Sequence, residues 1–351
     1  MDFVHSNGVL VIQHLQKNYR DYQSFLHFMS SIGDPRNIFL VYFPLWFPLS
    51  HVVGTKIIWV AVIGDFANLI FKWILFGHRP YWWVQETQFY QNSSHPHLEQ
   101  FPITCETGPG SPSGHAMCSS CVWYLMVTSA LRYKDNPPNR LYWVTWSVLW
   151  TAFWVIQISV CISRIFIATH FPHQVVLGVF AGMLVAEVFQ HMPCIQTANL
   201  QVYLKISLLL LSTALSFYLT LKMINVDLLW SVPKARKWCA NPEWVHLDSS
   251  PFAGLVRNLG VLFGLGLGIN SQMFTQSCKG KNSCKTGFKV ACMAGTLAAL
   301  QLYEFVTIPT QAEFLFYVLT FCKSSVVPLT VVAFIPYIIN LLMGSQEEKS
   351  K

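Results

Sequence analysis

Long apolar runs separated by short polar segments dominate the chain. A bilayer-spanning helix needs about 20 mostly apolar residues, and about nine runs approach that length. They cover about 25–46, 56–76, 116–133, 143–163, 169–190, 203–222, 253–273, 288–307 and 315–342. Asp34-Pro35-Arg36 interrupts the first run. The pattern predicts an all-α fold, a polytopic membrane bundle of about nine transmembrane helices.

The composition agrees with a membrane protein and excludes several other classes. Of 351 residues, 53% are hydrophobic and 11% charged, whereas a soluble domain has about 25% charged residues. The net charge of +7 is spread over loops without a dense Lys/Arg tract, so we expect no nucleic-acid partner. The sequence lacks an HExxH motif, and we expect no metal or other cofactor. With no internal repeat, it predicts one membrane domain over 1–351, with core motifs within 56–190 and additional helices at 203–342.

Charges in the short loops predict the orientation. Arg132, Lys134 and Arg140 lie in one loop, and Lys279, Lys281, Lys285 and Lys289 in another. Both loops should be cytoplasmic. Alternation then places 77–115, 164–168, 223–252 and 308–314 on the lumenal side, with a lumenal N-terminus and a cytosolic C-terminus. The sequon at Asn92 predicts lumenal glycosylation, whereas Lys234, Arg236 and Lys237 argue the other way.

The loop that precedes the third run carries the first chemical signal. Thr107-Gly108-Pro109-Gly110 leads into Ser111-Pro112-Ser113-Gly114-His115. Small residues allow close backbone approach, and N–H groups at a helix start favour an anion. A histidine there can transfer a proton. Taken alone, the stretch is either an ordinary helix cap or one wall of an anion site.

Further charged residues fall on the same predicted side of the membrane. Lys72 and Arg79 are seven residues apart at the end of the second run, and Asp65 precedes Lys72 by seven. Seven residues make about two helical turns, so these side chains share a face if the helix extends as far as Arg79. Arg164 and His170 lie where the fourth run gives way to the fifth. Three cations and two histidines suit metal-free phosphoryl transfer through histidine.

Three motifs in order carry a resemblance to a known superfamily. They are Lys72-x6-Arg79-Pro80, Pro112-Ser113-Gly114-His115 and Ser163-Arg164-x5-His170. Together they resemble the signature of the type-2 phosphatidic acid phosphatase and vanadium haloperoxidase superfamily. The flanking segments 73–83, 105–117 and 168–174 resemble the glucose-6-phosphatase catalytic subunits. The similarity to this family runs over almost the whole chain, including the Trp-rich loop 230–246.

The resemblance implies a role for each matching residue. His170 would be the nucleophile that forms a phosphohistidine, and His115 the general acid. Lys72, Arg79 and Arg164 would bind the phosphate, with added hydrogen bonds from Ser113 and the Gly114 N–H. Where the superfamily places an aspartate to orient the nucleophile, this chain has Gln174, with His173 as a possible substitute. Asp65 is a candidate partner for Lys72.

The function implied is hydrolysis of glucose 6-phosphate at the lumenal face of the endoplasmic reticulum membrane, coupled to a glucose-6-phosphate transporter. Two alternatives stay open. The shared signature also fits a lipid phosphate phosphatase, and a weakly active or non-catalytic paralogue could bind sugar phosphate. Two smaller expectations concern the lumenal loops: Cys105 and Cys239 can form a disulfide, and Tyr81-Trp82-Trp83 belongs to an interfacial aromatic belt.

Overall fold

The computed structural model describes residues 1–90, 94–132, 140–192, 195, 197–279 and 286–349, and throughout these ranges the regular elements are helices. The α-helices, in chain order, are α1 (Asp2–Asn18), α2 (Gln23–Ile32), α3 (Pro35–Asn37), α4 (Phe43–Leu49), α5 (His51–Leu75), α6 (Pro80–Glu86), α7 (Gly114–Arg132), α8 (Arg140–Phe166), α9 (Pro172–Gln190), α10 (Leu200–Met223), α11 (Ser231–Trp238), α12 (Pro251–Ile269), α13 (Gln272–Lys279), α14 (Thr286–Glu304), α15 (Glu313–Leu329) and α16 (Ile335–Lys349). Short 3₁₀ turns lie at Arg20–Tyr22, Gln88–Tyr90, Pro102–Thr104, Pro242–Trp244 and Leu247–Ser249, and π turns at Ile38–Tyr42 and Thr330–Phe334. The predicted all-α class is confirmed.

Six segments of the described chain are long and apolar enough to cross a membrane. They are His51–Tyr90, Arg140–Phe166, Pro172–Gln190, Leu200–Met223, Pro251–Ile269 and Glu313–Met343. Each overlaps one of the predicted runs, and the total of nine stays a prediction. The first run, 25–46, is broken where expected: α2 ends at Ile32 and a new helical turn begins at Pro35, since proline fits the first position of a helix but not its interior.

The chain divides into two compact units that interleave along the sequence. Unit 1 comprises Met1–Pro35, Ile63–Val188 and Ala214–Gly254; unit 2 comprises Arg36–Val62, Phe189–Thr213 and Leu255–Lys351. All the predicted site residues that the structure describes belong to unit 1. The single domain over 1–351 stays a prediction.

Unit 1 is built on close packing of α8 against α7, α2 and α1. Small residues bring α7 and α9 together as well. A Cβ on Gly182 would lie 2.2 Å from the Met117 carbonyl oxygen, and one on Gly178 would lie 2.8 Å from the Ser113 carbonyl oxygen. Glycine at these positions therefore lets the two backbones approach, as in other membrane bundles.

Unit 2 has a similar small-residue contact between α12 and α15. A Cβ on Gly264 would lie 2.0 Å from the Ser325 carbonyl oxygen. In the same unit the Trp59 indole N–H donates to the Tyr203 hydroxyl at 3.3 Å, which satisfies both polar groups in an apolar setting.

The aromatic run that opens α6 lies in the core, so its assignment to an interfacial belt is wrong. Tyr81, Trp82 and Trp83 are buried and pack with Phe171 in the core cluster of unit 1. The Tyr81 hydroxyl donates to the Glu106 carbonyl at 3.1 Å. A polar partner inside the unit allows this residue to be buried, which hydropathy alone does not reveal.

Cysteines in unit 1 occur in two states. Cys105 and Cys239 form a disulfide with a Cα–Cα distance of 5.7 Å, so that expectation is confirmed. The bond ties the segment before the glycine-rich loop to the end of α11. Cys118 and Cys121 have Cys-x-x-Cys spacing on α7, and both are buried thiols that form no disulfide.

A buried histidine at the start of the chain makes this unit sensitive to acid. The His5 ring stacks on Phe171 at 4.4 Å and faces His173 at 5.5 Å. Burial, reinforced by the neighbouring His173 and His78, lowers the pKa of His5 from 6.5 to about 4. The unfolded chain therefore binds this proton more readily, so the stabilising contribution is full above pH 6.5 and lost as the pH falls toward 4.

Replacing His5 with phenylalanine is expected to reduce the loss of stability between pH 6.5 and pH 4, because an apolar ring can keep the stacking without taking up a proton. The difference in unfolding temperature between pH 7 and pH 5 should shrink by about 2–4 °C, measured by thermal unfolding in detergent. His14→Phe, at an exposed position of the same helix, should leave that difference unchanged. Equal acid sensitivity in His5→Phe and the unaltered protein would contradict this explanation.

Candidate active site

The glycine-rich loop lies directly against the segment that carries Arg79. The Gly110 N–H donates to the Gly77 carbonyl at 2.7 Å. A Cβ on Gly77 would lie 2.6 Å from the Ser111 backbone nitrogen, and one on Gly110 would lie 2.6 Å from the His78 carbonyl oxygen. Glycine is thus required at both positions for the two backbones to meet.

Arg79 is fully buried immediately before α6 and is fixed by backbone carbonyls. Its Nε donates to Gly108 at 2.7 Å, Nη2 to Pro109 at 3.3 Å, and Nη1 to Thr169 at 3.3 Å. The same Nη1 lies 3.4 Å from Nε2 of His170. Arg79 therefore joins the glycine-rich loop to the segment that follows α8.

Arg164 occupies the last turn of α8 and is also buried. Its Nη1 donates to the Ser30 hydroxyl at 2.8 Å, and its Nη2 pairs with the Glu106 carboxylate. The Arg164 Nε has no hydrogen-bond partner although it is buried. Its guanidinium thus keeps a donor that an anion can use.

A sharp turn after α8 brings His170 beside Arg79. Ala168 adopts a positive φ of 59°, and the N–H groups of Thr169 and His170 reach back to the Arg164 carbonyl at 3.3 and 3.4 Å. The His170 Nδ1 lies 2.8 Å from the Gly110 carbonyl oxygen. Because that oxygen only accepts, Nδ1 carries the proton and Nε2 keeps its lone pair.

The electrostatic setting of His170 favours the neutral ring. Burial, followed by the nearby charge of Arg79, holds the pKa of His170 well below its usual value. A neutral imidazole with an unprotonated Nε2 is the form that can act as a nucleophile.

His115 lies in the first turn of α7 and is half-buried. Its Nδ1 is 3.8 Å from the Glu106 carboxylate. Burial and the charge of Arg164 lower the pKa of His115 to about 4, against the opposing effect of Glu106. The ring is thus neutral at neutral pH until an additional negative charge arrives.

Lys72 reaches the same loop from the last turn of α5. A Cβ on Gly114 would lie 3.8 Å from its Nζ, and one on Gly108 would lie 4.0 Å away. Two glycines therefore leave room for the ammonium group next to the start of α7. Five of the predicted groups, Lys72, Arg79, His115, Arg164 and His170, meet around one loop.

The supporting residues differ in their contacts from expectation. Gln174 does not orient His170. Its Oε1 accepts from the Phe171 N–H at 3.1 Å, and its Nε2 donates to the His78 carbonyl at 2.7 Å. The Gly110 carbonyl takes the orienting role, because it lies 2.8 Å from the Nδ1 of the His170 ring. Gln174 instead holds the backbone beside both His170 and Arg79.

The remaining predicted residues have contacts of their own. Ser113 is buried; its N–H donates to the Gln174 carbonyl at 3.1 Å, and its Oγ accepts from the Ala116 N–H at 3.5 Å. Asp65 accepts from the Cys118 thiol at 3.7 Å. The His173 ring faces His5 and not the site. Asn92 lies outside the described residues, so its glycosylation stays a prediction.

The comparisons with known proteins decide the family. A family model described as PAP2 superfamily matches residues 53–195. Glucose-6-phosphatase 2 of Homo sapiens is 66% identical over 355 aligned residues that cover 100% of both chains. The chain belongs to the glucose-6-phosphatase family. Glucose-6-phosphatase catalytic subunit 1 of Felis catus is 51% identical, with 100% of this chain and 99% of that protein covered. No solved structure gives a significant match.

The family predicted from the three motifs is therefore confirmed. Within the glucose-6-phosphatase family, the Met1-Asp2-Phe3 start and the segment 238–242 resemble the islet-specific glucose-6-phosphatase-related protein. The higher identity to Glucose-6-phosphatase 2, which is also 64% for the Mus musculus protein, agrees with that subgroup.

One residue of this glucose-6-phosphatase family site was missed in the sequence. The Glu106 carboxylate lies 2.9 Å from Arg79 Nη2, pairs with Arg164 and faces His115. Burial raises its pKa, but the two guanidiniums outweigh that effect and hold the pKa of Glu106 well below its usual range. It is the single acidic residue between Glu99 and Asp135, a signal that could have drawn attention to it.

Proposed function

We propose that this chain hydrolyses glucose 6-phosphate to glucose and inorganic phosphate through a phosphohistidine. It is a phosphatase as a member of the glucose-6-phosphatase family. The observation that carries the mechanism is the His170 ring: Nδ1 is committed to the Gly110 carbonyl, and Nε2 lies 3.4 Å from Arg79. The nucleophile and a phosphate-binding group are therefore adjacent.

The reaction proceeds in two displacements. In the first, the Nε2 lone pair of His170 attacks phosphorus, the bond from phosphorus to the sugar oxygen breaks, and His115 gives that oxygen a proton. In the second, water attacks phosphorus, His115 takes a proton from the water, and the P–N bond breaks. The balance is one sugar phosphate and one water consumed, with one sugar and one phosphate released.

The cations stabilise the charge that develops on the phosphoryl oxygens. Arg79 and Arg164 supply directed N–H donors, Lys72 supplies a compact positive charge, and the Ser113 hydroxyl and Gly114 N–H add hydrogen bonds. A phosphate dianion beside His115 also favours its protonated form. Binding of substrate thus charges the acid that the first step needs.

The cellular setting forms part of the proposal. The chain is a multi-pass membrane protein; we place it in the endoplasmic reticulum with a lumenal N-terminus, a cytosolic C-terminus and a lumenal site. The positive loops and the Asn92 sequon support this orientation. A cytosolic sugar phosphate would then need a glucose-6-phosphate transporter to reach the site.

A substrate panel on the purified full-length protein tests this function. Glucose 6-phosphate, glucose 1-phosphate and phosphatidic acid are each supplied, and released phosphate is measured. We expect hydrolysis of glucose 6-phosphate to exceed that of phosphatidic acid by at least about 100-fold in kcat/KM, or about 3 kcal/mol in transition-state binding. Preference for phosphatidic acid would identify a lipid phosphate phosphatase instead.

A further inference from the structure

The Glu106 side chain occupies the meeting point of the charged groups in the site. Its two carboxylate oxygens contact Arg79 and Arg164, and one of them also lies 3.8 Å from His115 Nδ1. The proposed mechanism assigns these three groups to phosphate binding and proton transfer. A carboxylate at this point satisfies the same donors that a phosphoryl group would use.

Neither arginine depends on Glu106 alone for its position. Arg79 is held by the carbonyls of Gly108, Pro109 and Thr169. Arg164 is held by Ser30 through its other terminal nitrogen. The carboxylate can therefore leave while each guanidinium keeps an anchor in the surrounding backbone or side chains.

Exposure indicates which member of the cluster moves. The Arg79 and Arg164 side chains are 0% and 1% exposed, whereas the Glu106 side chain is 22% exposed. The acid thus covers the arginines from the accessible side. In addition, the Arg164 Nε and the Thr169 hydroxyl are buried without a hydrogen-bond partner, so the arrangement with Glu106 leaves donors that a ligand with more oxygens can satisfy.

We infer that Glu106 is an internal anion that occupies the phosphate position in the resting enzyme and is displaced by the phosphate group of the substrate. Glu106 then sets the affinity for phosphate: each binding event exchanges one carboxylate for one phosphate. The exchange keeps the buried arginines paired at every stage, which avoids an uncompensated buried charge. This inference rests on the proposed phosphatase site but not on the identity of the sugar.

The test is the affinity of the full-length protein for inorganic phosphate in detergent, measured by displacement of radiolabelled phosphate. In Glu106→Gln the side chain keeps its size but loses its charge. We expect the Kd for phosphate to fall by about tenfold, the ratio that corresponds to one charge-assisted hydrogen bond. Glu99→Gln is the matched control, because Glu99 forms a 3.5 Å ion pair with Arg20, whose side chain is 71% exposed. The Kd of this control variant for phosphate should stay unchanged.

Thermal unfolding provides the second measurement. Without phosphate, Glu106→Gln should unfold at a lower temperature than the unaltered protein, and saturating phosphate should stabilise the variant more. A variant that folds only when phosphate is added supports the exchange. An unchanged or higher Kd for phosphate in Glu106→Gln overturns the exchange. Failure of the variant to fold with phosphate present also overturns it, because Glu106 is then a positioning residue.

The proposed function and this inference fail separately. If the unaltered protein does not hydrolyse glucose 6-phosphate but Glu106→Gln binds phosphate more tightly, the substrate assignment is wrong and the exchange stands. If hydrolysis is found and phosphate binding does not tighten, the function stands and the exchange is wrong.

Discussion

Replacing His170 with alanine is expected to reduce glucose 6-phosphate hydrolysis by at least about 10⁴-fold in kcat, the range found when a covalent nucleophile is removed. The imidazole Nε2 is the atom that attacks phosphorus, and the alanine variant offers no other nitrogen at that point. Arg79 and Arg164 keep their own anchors, so binding of phosphate should persist. Released phosphate at saturating substrate measures kcat, and displacement of labelled phosphate measures binding.

His97→Ala is the matched control for this loss. His97 is exposed in the segment before the glycine-rich loop, and its removal should leave kcat within about twofold, as for other surface substitutions. Full activity in His170→Ala would show that His170 is not the nucleophile. Loss of activity in His173→Ala with retention in His170→Ala would move the covalent step to the neighbouring histidine.

Replacing His115 with alanine is expected to lower kcat for glucose 6-phosphate by about 10²–10⁴-fold, the usual contribution of general acid–base catalysis. A sugar alkoxide is a poor leaving group without a proton. 4-Nitrophenyl phosphate releases a stabilised phenolate, so its first displacement should tolerate the loss of His115. The rate of 4-nitrophenolate release in the first turnover, measured by stopped flow, should therefore change by less than about tenfold.

The two substrates together separate proton transfer from phosphate binding. A parallel loss for both substrates in the first turnover would contradict the role of His115 as the acid and would assign it to phosphate binding. The same comparison in His97→Ala should show no change for either substrate.

The sequence predicted the charged residues of the site because each stands out from its surroundings. A lysine, two arginines and two histidines at the ends of apolar runs are costly unless they face a polar centre. The shared helix face predicted for Lys72 and Arg79 is wrong, because α5 ends at Leu75 and Arg79 directly precedes α6. The turn between the two helices brings Arg79 to the site instead. All five meet around the glycine-rich loop, as the motifs indicated.

The parts that were missed depend on backbone groups and on distant segments. The orienting partner of His170 is the Gly110 carbonyl, and every residue has a carbonyl, so no residue type marks it. Ser30 reaches Arg164 from α2, which lies before the span 53–195 matched by the family model. Glu106 pairs with Arg79 just before α6 and with Arg164 at the end of α8, and only the tertiary fold brings these segments together.

The helix count shows a similar limit. α7 begins with the site residues Gly114 and His115 and continues with Ser119 and Ser120, whose hydroxyls bond to carbonyls and to Gln157 inside the unit. These polar residues lower its apolar character, and α7 is not among the six segments apolar enough to span. Hydropathy is therefore a weaker guide to the helix that carries site residues than to the helices that are apolar throughout.

The central claim is that the phosphoryl group passes through His170, and chemical trapping tests it most directly. The full-length protein is mixed briefly with [³²P]glucose 6-phosphate, denatured and digested, and the labelled peptide is sequenced. We predict acid-labile, base-stable label on His170, none in His170→Ala, and normal label in His97→Ala. Label on a different residue, or turnover of substrate with no trapped phosphoenzyme under any quench, would contradict the account.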